Sequence, residues 1–233
     1  MGTLMRHIGI SSIKIDGIMI AGGGLIGEMV ARRMASFIDN IKIIEKDRER
    51  CSLLAERLPS GISIINGDSR NTDLLLEEGI KDYSAFIALT DSCEANILSC
   101  TAAKKLGVGR TIAQVENLEY IPLAESIGVD AVINKKLITA GRIFKFTLSD
   151  KVRFIKYMSG TNAEVIEFVV APGSRITRAP LCELDFPEGA IIGGVVRGDS
   201  ASIAVGSTRI EPYDRVAVFA LPGVAKEVDR WFK

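Results

Sequence analysis

A short apolar run that stops at a cluster of glycines constrains the fold of this chain more than any other feature. The run Ile18-Met19-Ile20-Ala21 leads directly into Gly22-Gly23-Gly24-Leu25-Ile26-Gly27. Apolar residues then recur at helix-like spacing as far as Phe37. A strand, a G-x-G-x-x-G turn and a helix in this order are typical of a phosphate-binding βαβ unit.

The glycines of this motif suit a backbone that approaches a phosphate closely. Gly22 permits a sharp turn, Gly24 has no Cβ to keep a pyrophosphate away, and Gly27 lets the helix pack tightly on the sheet. The positive end of the helix dipole then faces the anion. The predicted cofactor-binding loop comprises Gly22, Gly23, Gly24, Leu25, Ile26 and Gly27. A tight turn that binds no ligand is the alternative explanation.

Polar residues follow the ends of three further strands that the sequence predicts. Glu45 ends the second strand roughly 20 residues after the glycines, where a carboxylate accepts hydrogen bonds from a ribose diol and disfavours the 2′-phosphate of NADP. Asp68 follows the third strand, and Thr90 and Asp91 follow the fourth. Because the carboxyl ends of parallel strands share one edge of a sheet, we expect these residues to line one ligand cleft.

Strand and helix patterns alternate from Asp16 to Ser149. This alternation predicts an α/β fold, a Rossmann-like doubly wound parallel sheet with helices on both faces. Beyond Ser149, short strand candidates separated by turns predict a small β-rich α+β domain that ends in a helix at 224–232. We expect an N-terminal extension at 1–15, a nucleotide-binding domain at 16–149 and a second domain at 150–233.

Composition argues against several classes of protein. The 29 Lys and Arg residues balance 29 Asp and Glu residues, whereas a nucleic-acid binder usually carries a basic excess. No apolar run approaches the roughly 18 residues of a membrane span, and no signal peptide opens the chain. With 47% hydrophobic residues, the chain is expected to form a packed cytoplasmic protein with no nucleic-acid partner.

Cysteine and histidine usage does not favour a metal site or a catalytic nucleophile. Cys51, Cys93, Cys100 and Cys182 form no C-x-x-C pair, and the one histidine is His7. We therefore expect reduced, buried cysteines and no bound metal.

An NAD-dependent oxidoreductase with a small substrate domain is the main alternative function. Such enzymes place a proton donor or acceptor beside the nicotinamide. The second domain has no histidine, and Lys135, Lys136 and Tyr120 are better explained as residues of solvated helix ends. The sequence therefore favours a protein that binds a nucleotide without transforming it and has no catalytic residues.

Several motifs in matching order resemble the RCK domain family, the regulators of potassium conductance. In the N-terminal part they are the glycine run, Ile43-Ile44-Glu45-Lys46-Asp47, Gly67-Asp68-Ser69 and Leu89-Thr90-Asp91-Ser92-Cys93-Glu94-Ala95-Asn96. In the C-terminal part they are Ala163-Glu164-Val165-Ile166-Glu167-Phe168, Gly189-Ala190-Ile191-Ile192-Gly193-Gly194-Val195-Val196-Arg197 and Ile210-Glu211-Pro212-Tyr213-Asp214-Arg215-Val216. Within this family the chain most resembles the peripheral subunits of Trk-type potassium uptake.

The resemblance implies a cytoplasmic regulatory subunit, peripheral to the inner face of the cell membrane, that binds NAD(H), or ATP and ADP at the same site. It also implies self-association as a dimer or a larger ring, and docking on a potassium-translocating membrane subunit. Carried over by position, Gly22 to Ile26 hold the pyrophosphate, Glu45 holds the adenosine ribose, and Thr90 and Asp91 line the other half of the cleft. Gln114 stands where the family often has an arginine, whose charge a glutamine cannot supply.

Many members of the family carry two tandem copies of this two-domain unit, whereas this chain carries one. Its triple glycine resembles the second copy. We expect either the C-terminal half of a tandem protein or a single-copy relative.

Overall fold

A computed structural model describes residues 14–157 and 163–233, which form two compact units. The chain divides between Lys135 and Lys136. The predicted extension at 1–15, including His7, lies almost entirely outside the described residues. The domain limits expected at 149 and 150 stay a prediction.

The first unit contains a six-stranded parallel sheet. Its strands are β1 (Gly17–Ala21), β2 (Asn40–Glu45), β3 (Ile62–Asn66), β4 (Ala85–Ala88), β5 (Arg110–Gln114) and β6 (Ala131–Ile133). They lie in the order β3-β2-β1-β4-β5-β6, and every neighbouring pair is parallel. The strand order therefore reverses between β1 and β4, the place where open α/β sheets bind ligands. This architecture confirms the predicted Rossmann-like fold.

Helices connect the parallel strands. They are α1 (Leu25–Met34), α2 (Arg48–Arg57), α3 (Thr72–Glu77), α4 (Cys93–Lys105) and α5 (Tyr120–Ser126). The side chains of Asp47, Asn71 and Ser92 cap α2, α3 and α4 by accepting hydrogen bonds from backbone amides. Helix α5 begins at Tyr120 and carries Pro122 in its first turn, where a proline is tolerated.

Burial follows the apolar runs of the sequence. All five residues of β1 and all four of β4 are buried, as expected for central strands covered on both faces. Ile20, Ile43 and Leu54 belong to one core cluster that joins β1 and β2 to α2. The loops that follow β1 and β2 are therefore anchored to a well-packed core.

The second unit contains a five-stranded antiparallel sheet. Its strands are β7 (Val152–Tyr157), β8 (Glu164–Val169), β9 (Ala190–Arg197), β10 (Ser200–Ile203) and β11 (Arg215–Ala220), in the order β10-β9-β11-β8-β7. Gly198 adopts a left-handed φ of +57° and turns β9 directly into β10. A 3₁₀ turn at Leu181–Glu183 precedes β9.

Two helices complete the second unit, α6 (Lys135–Lys145) and α7 (Ala225–Asp229). Phe144 and Leu148 pack against the core of this unit. The expected closing helix is shorter than 224–232, but the chain beyond it stays buried. Phe232 stacks on Phe168 with ring centroids 4.3 Å apart. Aromatic stacking thus fastens the C-terminal segment to the antiparallel sheet.

The cysteines correct one expectation. Cys100 is buried, and burial raises the pKa of its thiol to about 12. Cys51 and Cys93 are half-buried, and Cys182 is exposed in the turn Leu181–Glu183. The prediction of buried cysteines is therefore right for Cys100 and wrong for Cys182.

Candidate functional site

A cleft of about 310 Å³ opens at the carboxyl edge of the parallel sheet. The residues that line it follow the ends of four neighbouring strands, β1 to β4. They are Gly22, Gly24, Ile44, Glu45, Lys46, Arg50, Gly67, Asp68, Ser69, Arg70, Leu89, Thr90, Asp91, Ser92 and Ala95. The cleft therefore occupies the edge at which the sequence places the ligand.

The fold itself requires two of the three motif glycines. Gly22 has a φ of +99°, in the left-handed region that side chains disfavour, and a Cβ there would lie 2.9 Å from backbone atoms of Leu89 and Thr90. A Cβ on Gly27 would collide with the carbonyl oxygen of Gly22. These two glycines are explained by packing alone.

Gly24 has no such structural requirement. Its φ of −61° is ordinary backbone, and the nearest described atom to a Cβ at this position is Nη1 of Arg50, at 3.6 Å. A side chain at Gly24 would therefore meet only ordinary van der Waals contact within the protein. The glycine leaves space beside the cleft that a closely approaching ligand needs.

Helix α1 has no side-chain cap at its N-terminus. Gly24 is the cap residue and cannot accept a hydrogen bond from the first-turn amides. Unpaired amides and the positive end of the helix dipole together favour an anion at this point. The loop is therefore suited to a phosphate group.

Glu45 holds the glycine loop against the end of β2. Its Oε2 accepts a hydrogen bond from the backbone N–H of Gly23 at 2.7 Å, and its Oε1 accepts one from the N–H of Asp47 at 2.8 Å. Each carboxylate oxygen can accept a second hydrogen bond. The half-buried carboxylate borders the cleft and retains acceptor capacity for a sugar hydroxyl.

Three cationic side chains border the same cleft, and the sequence analysis assigned none of them to the site. Lys46 follows β2, Arg50 lies in the first turn of α2 beside Gly24, and Arg70 follows β3. The signal that could have identified Arg50 is its place in the first turn of the helix that Asp47 caps, soon after Glu45. The three cations balance the three carboxylates of the lining, Glu45, Asp68 and Asp91, but Arg50 has no ion-pair partner among the described residues, so its charge favours an anion beside Gly24.

Asp68, a predicted site residue, is already engaged by one of these cations. Its Oδ2 accepts a hydrogen bond from Nη2 of Arg70 at 2.6 Å, and Lys46 lies 3.9 Å away. The Arg70 guanidinium lowers the pKa of Asp68 to about 2. The aspartate therefore stays charged and holds the guanidinium of Arg70 in an ion pair at the cleft.

Asn96 joins the ends of β4 and β5. Its Oδ1 accepts hydrogen bonds from both the N–H and the hydroxyl of Thr90, at 2.9 and 2.6 Å. Its Nδ2 donates to the carbonyl oxygens of Thr90 and Gln114, at 2.9 and 2.8 Å. This buried carboxamide fixes the position of Thr90 in the cleft.

The structure brings together six of the predicted site residues: Gly22, Gly24, Glu45, Asp68, Thr90 and Asp91. The others are Gly23, Leu25, Ile26, Gly27 and Gln114, and they do not border the cleft. Gln114 is buried, and its Oε1 has no hydrogen-bond partner among the described residues.

Other kinds of site find no support in the part of the chain that the structure describes. Within it, no three or more His, Cys, Asp or Glu residues are arranged to hold a metal ion. No helix of residues 14–157 or 163–233 is both long enough and apolar enough to cross a bilayer.

Two family models match the chain in order. Residues 18–135 match the TrkA-N domain, and residues 165–233 match the TrkA-C domain. The first match covers the parallel sheet and the cleft, and the second covers most of the antiparallel unit.

Curated relatives are similar over nearly the whole chain. It is 34% identical to the Trk system potassium uptake protein TrkA homolog 1 of Methanosarcina mazei, over 93% of this chain and 48% of that protein. It is 33% identical to the Trk system potassium uptake protein TrkA of Azorhizobium caulinodans, over 100% of this chain and 51% of that protein. The chain thus spans about half the length of these relatives.

Solved structures share the fold. The GsuK channel bound to NAD superimposes with a TM-score of 0.55 at 16% identity, over 99% of this chain and 43% of that chain. The TrkA-N domain of the inner membrane protein ybaL from Escherichia coli gives 0.51 at 17% identity, over 58% and 98%. At such identities the likeness establishes the fold alone.

Proposed function

The chain belongs to the family of proteins with TrkA-N and TrkA-C domains, and from this premise we propose that it is a nucleotide-binding regulatory part of a potassium uptake system. It binds NAD(H) in the cleft at the carboxyl edge of the parallel sheet and acts on a potassium-translocating membrane subunit. It works at the cytoplasmic face of the membrane, as a dimer or a larger ring.

The observation that supports this proposal most directly is that Gly24 lacks a side chain although the protein's packing leaves room for one. The protein's own packing explains Gly22 and Gly27 but leaves the absence of a side chain at Gly24 unexplained. A pyrophosphate that approaches this backbone explains it. A tight turn without a ligand does not.

The contacts that we propose for the nucleotide follow the geometry of the cleft. The loop from Gly22 to Gly27 and the guanidinium of Arg50 hold the pyrophosphate. Glu45 accepts hydrogen bonds from the adenosine ribose, and Thr90 and Asp91 line the other half of the cleft. At the position of Gln114 in β5 the family often has an arginine, whose charge a glutamine cannot supply. In this chain we propose that Arg50 of α2 supplies a positive charge to the cleft instead.

NAD(H) is the first candidate ligand because the related fold of the GsuK channel is described in an NAD-bound form. ATP and ADP share the adenosine and phosphate groups that the same contacts recognise, so they compete for the cleft in this proposal. Glu45 selects against NADPH, since a 2′-phosphate would meet a carboxylate.

We propose regulation rather than catalysis. The names of the relatives describe potassium uptake and not an enzyme. A bound nucleotide can shift the conformational equilibrium of a regulatory protein only by its difference in affinity between two states. The oxidised and reduced forms of NAD are two ligands that can differ in this way.

The test is a calorimetric titration of the full chain with NADH, NAD, NADPH, ATP and ADP, repeated on Gly24→Ala and on Gly61→Ala. Gly61 has no described atom within 4 Å of its would-be Cβ and lies outside the cleft, so it is the matched control. We expect Gly24→Ala to weaken NADH binding about tenfold or more, a loss of about 1.4 kcal/mol, and Gly61→Ala to change nothing.

Two outcomes would contradict the proposal. Equal nucleotide binding by Gly24→Ala and the unmodified protein would mean that the pyrophosphate does not lie at this loop. Oxidation of NADH in the presence of a small carbonyl compound, measured as a loss of NADH absorbance, would favour the alternative function of an NAD-dependent oxidoreductase.

A further inference from the structure

The antiparallel unit contains a second cavity, of about 770 Å³, which the nucleotide proposal does not use. Helix α6 and its C-terminal turn contribute one wall, β8 contributes a second, and the turn and helix α7 near the C-terminus contribute a third. The lining residues are Ala140, Ile143, Phe144, Thr147, Glu164, Gly223 and Lys226. Most of this lining is apolar, which is typical of a pocket for a small organic molecule.

Glu164 is the unusual member of this lining. It is the first residue of β8, in which residues 164, 166 and 168 occupy the buried face. Ile166 and Phe168 belong to the hydrophobic core, whereas Glu164 places a carboxyl group in the same row. The residue is only 8% exposed, so the carboxyl group has lost most of its contact with solvent.

This carboxyl group lacks a partner. Among the described residues, none gives Oε2 of Glu164 a hydrogen bond, and none forms an ion pair with it. Burial raises the pKa of Glu164. A buried carboxylate without a partner is destabilising, and a bound ammonium group offsets this by supplying a positive charge and hydrogen-bond donors.

Lys226 does not supply that partner. It is the only other charged residue in the lining, it is exposed, and no ion pair between it and Glu164 is found in the described part of the chain. The hydroxyl of Thr147 donates to the carbonyl oxygen of Phe144 at 2.7 Å, so its proton is also committed. Glu164 therefore borders the cavity, and no described residue pairs with its carboxylate.

We infer that this cavity binds a small organic molecule that carries a primary ammonium group on an apolar body. The ammonium group pairs with Glu164, and the apolar body lies against Ile143 and Phe144 of α6. Lys226 at the rim repels a second positive charge, so the preferred ligand is a monocation. Because α6 and α7 both contact the ligand, occupancy of the cavity stiffens the wall between them.

The probe is 2-phenylethylammonium chloride, titrated calorimetrically into the full chain, with 2-phenylethanol as the neutral molecule of similar shape. We expect the amine to bind at least about tenfold more tightly than the alcohol, because a hydrogen bond to a charged group is worth more than one to a neutral group. Equal affinities for the two compounds, or no binding of the amine, would overturn the inference.

Three variants locate the contact. Glu164→Gln keeps the shape and removes the charge, so we expect a loss of amine affinity of about tenfold or more. Lys226→Gln removes a like charge from the rim and should tighten amine binding by about twofold at low salt. Ile143→Ser alters an exposed side chain outside the core and should weaken binding several-fold, with little effect on folding.

Thermal unfolding of each variant separates these effects from misfolding. If Glu164→Gln folds and binds the amine as tightly as the unmodified protein, the inference is wrong. If that variant unfolds, two other results test the inference. They are the difference in affinity between amine and alcohol for the unmodified chain, and the opposite changes in amine affinity expected for Lys226→Gln and Ile143→Ser. Equal responses of the last two variants would also count against it.

Discussion

Glu45 accepts a hydrogen bond from the backbone amide of Gly23, with 2.7 Å between Oε2 and the nitrogen. The carboxylate at the end of β2 thereby sets the position of the glycine loop that follows β1. In the proposed nucleotide site, this one side chain would both position the phosphate-binding loop and accept hydrogen bonds from the ribose.

The first prediction concerns this link. Glu45→Gln can retain only one of the two backbone hydrogen bonds as an acceptor and loses the negative charge. We expect NADH affinity to fall about tenfold and the discrimination against NADPH to narrow. Calorimetry with both nucleotides measures this change, and the exposed Glu49→Gln of α2 is the control. Undiminished discrimination against NADPH would remove Glu45 from the specificity of the site.

The second prediction separates folding from binding within the loop. A Cβ on Gly27 would collide with the carbonyl oxygen of Gly22, so Gly27→Ala should lower the free energy of unfolding by about 1–3 kcal/mol. Gly24→Ala should unfold close to the unmodified protein, because the only described atom near its Cβ is Nη1 of Arg50, at 3.6 Å. Urea denaturation of both variants checks this contrast, which equal stabilities would refute.

The third prediction concerns an ion pair of the antiparallel unit in which the aspartate is buried and the arginine is partly exposed. Asp214 is 2% exposed and accepts hydrogen bonds from Nε and Nη2 of Arg197 and from the backbone N–H of Glu211. Asp214→Asn should lower the free energy of unfolding by about 2–3 kcal/mol, because it leaves these donors without their charged acceptor. The exposed carboxylate of Glu211 also pairs with Arg197, and Glu211→Gln should cost less than about 1 kcal/mol.

The same aspartate predicts a pH dependence. Burial raises the pKa of Asp214, but the hydrogen bonds from Arg197 and from the backbone N–H of Glu211, together with the charge of Arg197, outweigh burial and hold that pKa below its ordinary value of 3.8. Since the folded-state pKa is the lower one, the stabilisation is complete above about pH 5 and declines as the pH falls through 4. Unfolding curves of the unmodified protein and Asp214→Asn should therefore converge in acid. A difference that grew on acidification would refute this assignment.

The fourth prediction concerns Tyr213, which has a φ of +71° although it is not a glycine. A side chain in this left-handed region costs about 1 kcal/mol, and the tyrosine ring is largely exposed. Tyr213→Gly should raise the free energy of unfolding by up to about 1 kcal/mol, offset in part by the entropy of glycine. Gly173 has a similar φ of +77° and open space around it, so Gly173→Ala should show the reverse. A destabilised Tyr213→Gly would mean that the ring makes a contact of greater value than the strain.

Some parts of the site were predictable because they follow strand ends. Gly22, Glu45 and Thr90 reach one cleft simply because parallel strands present their carboxyl ends at one edge. Arg50 was not predictable in this way, since its side chain reaches Gly24 only through the placement of α2. The hydrogen bond from Asn96 to the carbonyl oxygen of Gln114 links the ends of two strands, and no local sequence pattern predicts it.

The sequence by itself determined the alternating architecture, the glycine loop and the acidic residue that follows β2, because each depends on backbone periodicity and on residues close in the chain. Only the tertiary structure decided that Gly24 is free of packing constraints, that Arg50 lies beside it, and that Glu164 borders a cavity with its carboxyl group unpaired among the described residues. The reason is physical: contacts between distant side chains depend on how helices pack on a sheet, and a linear pattern of residues does not contain those distances.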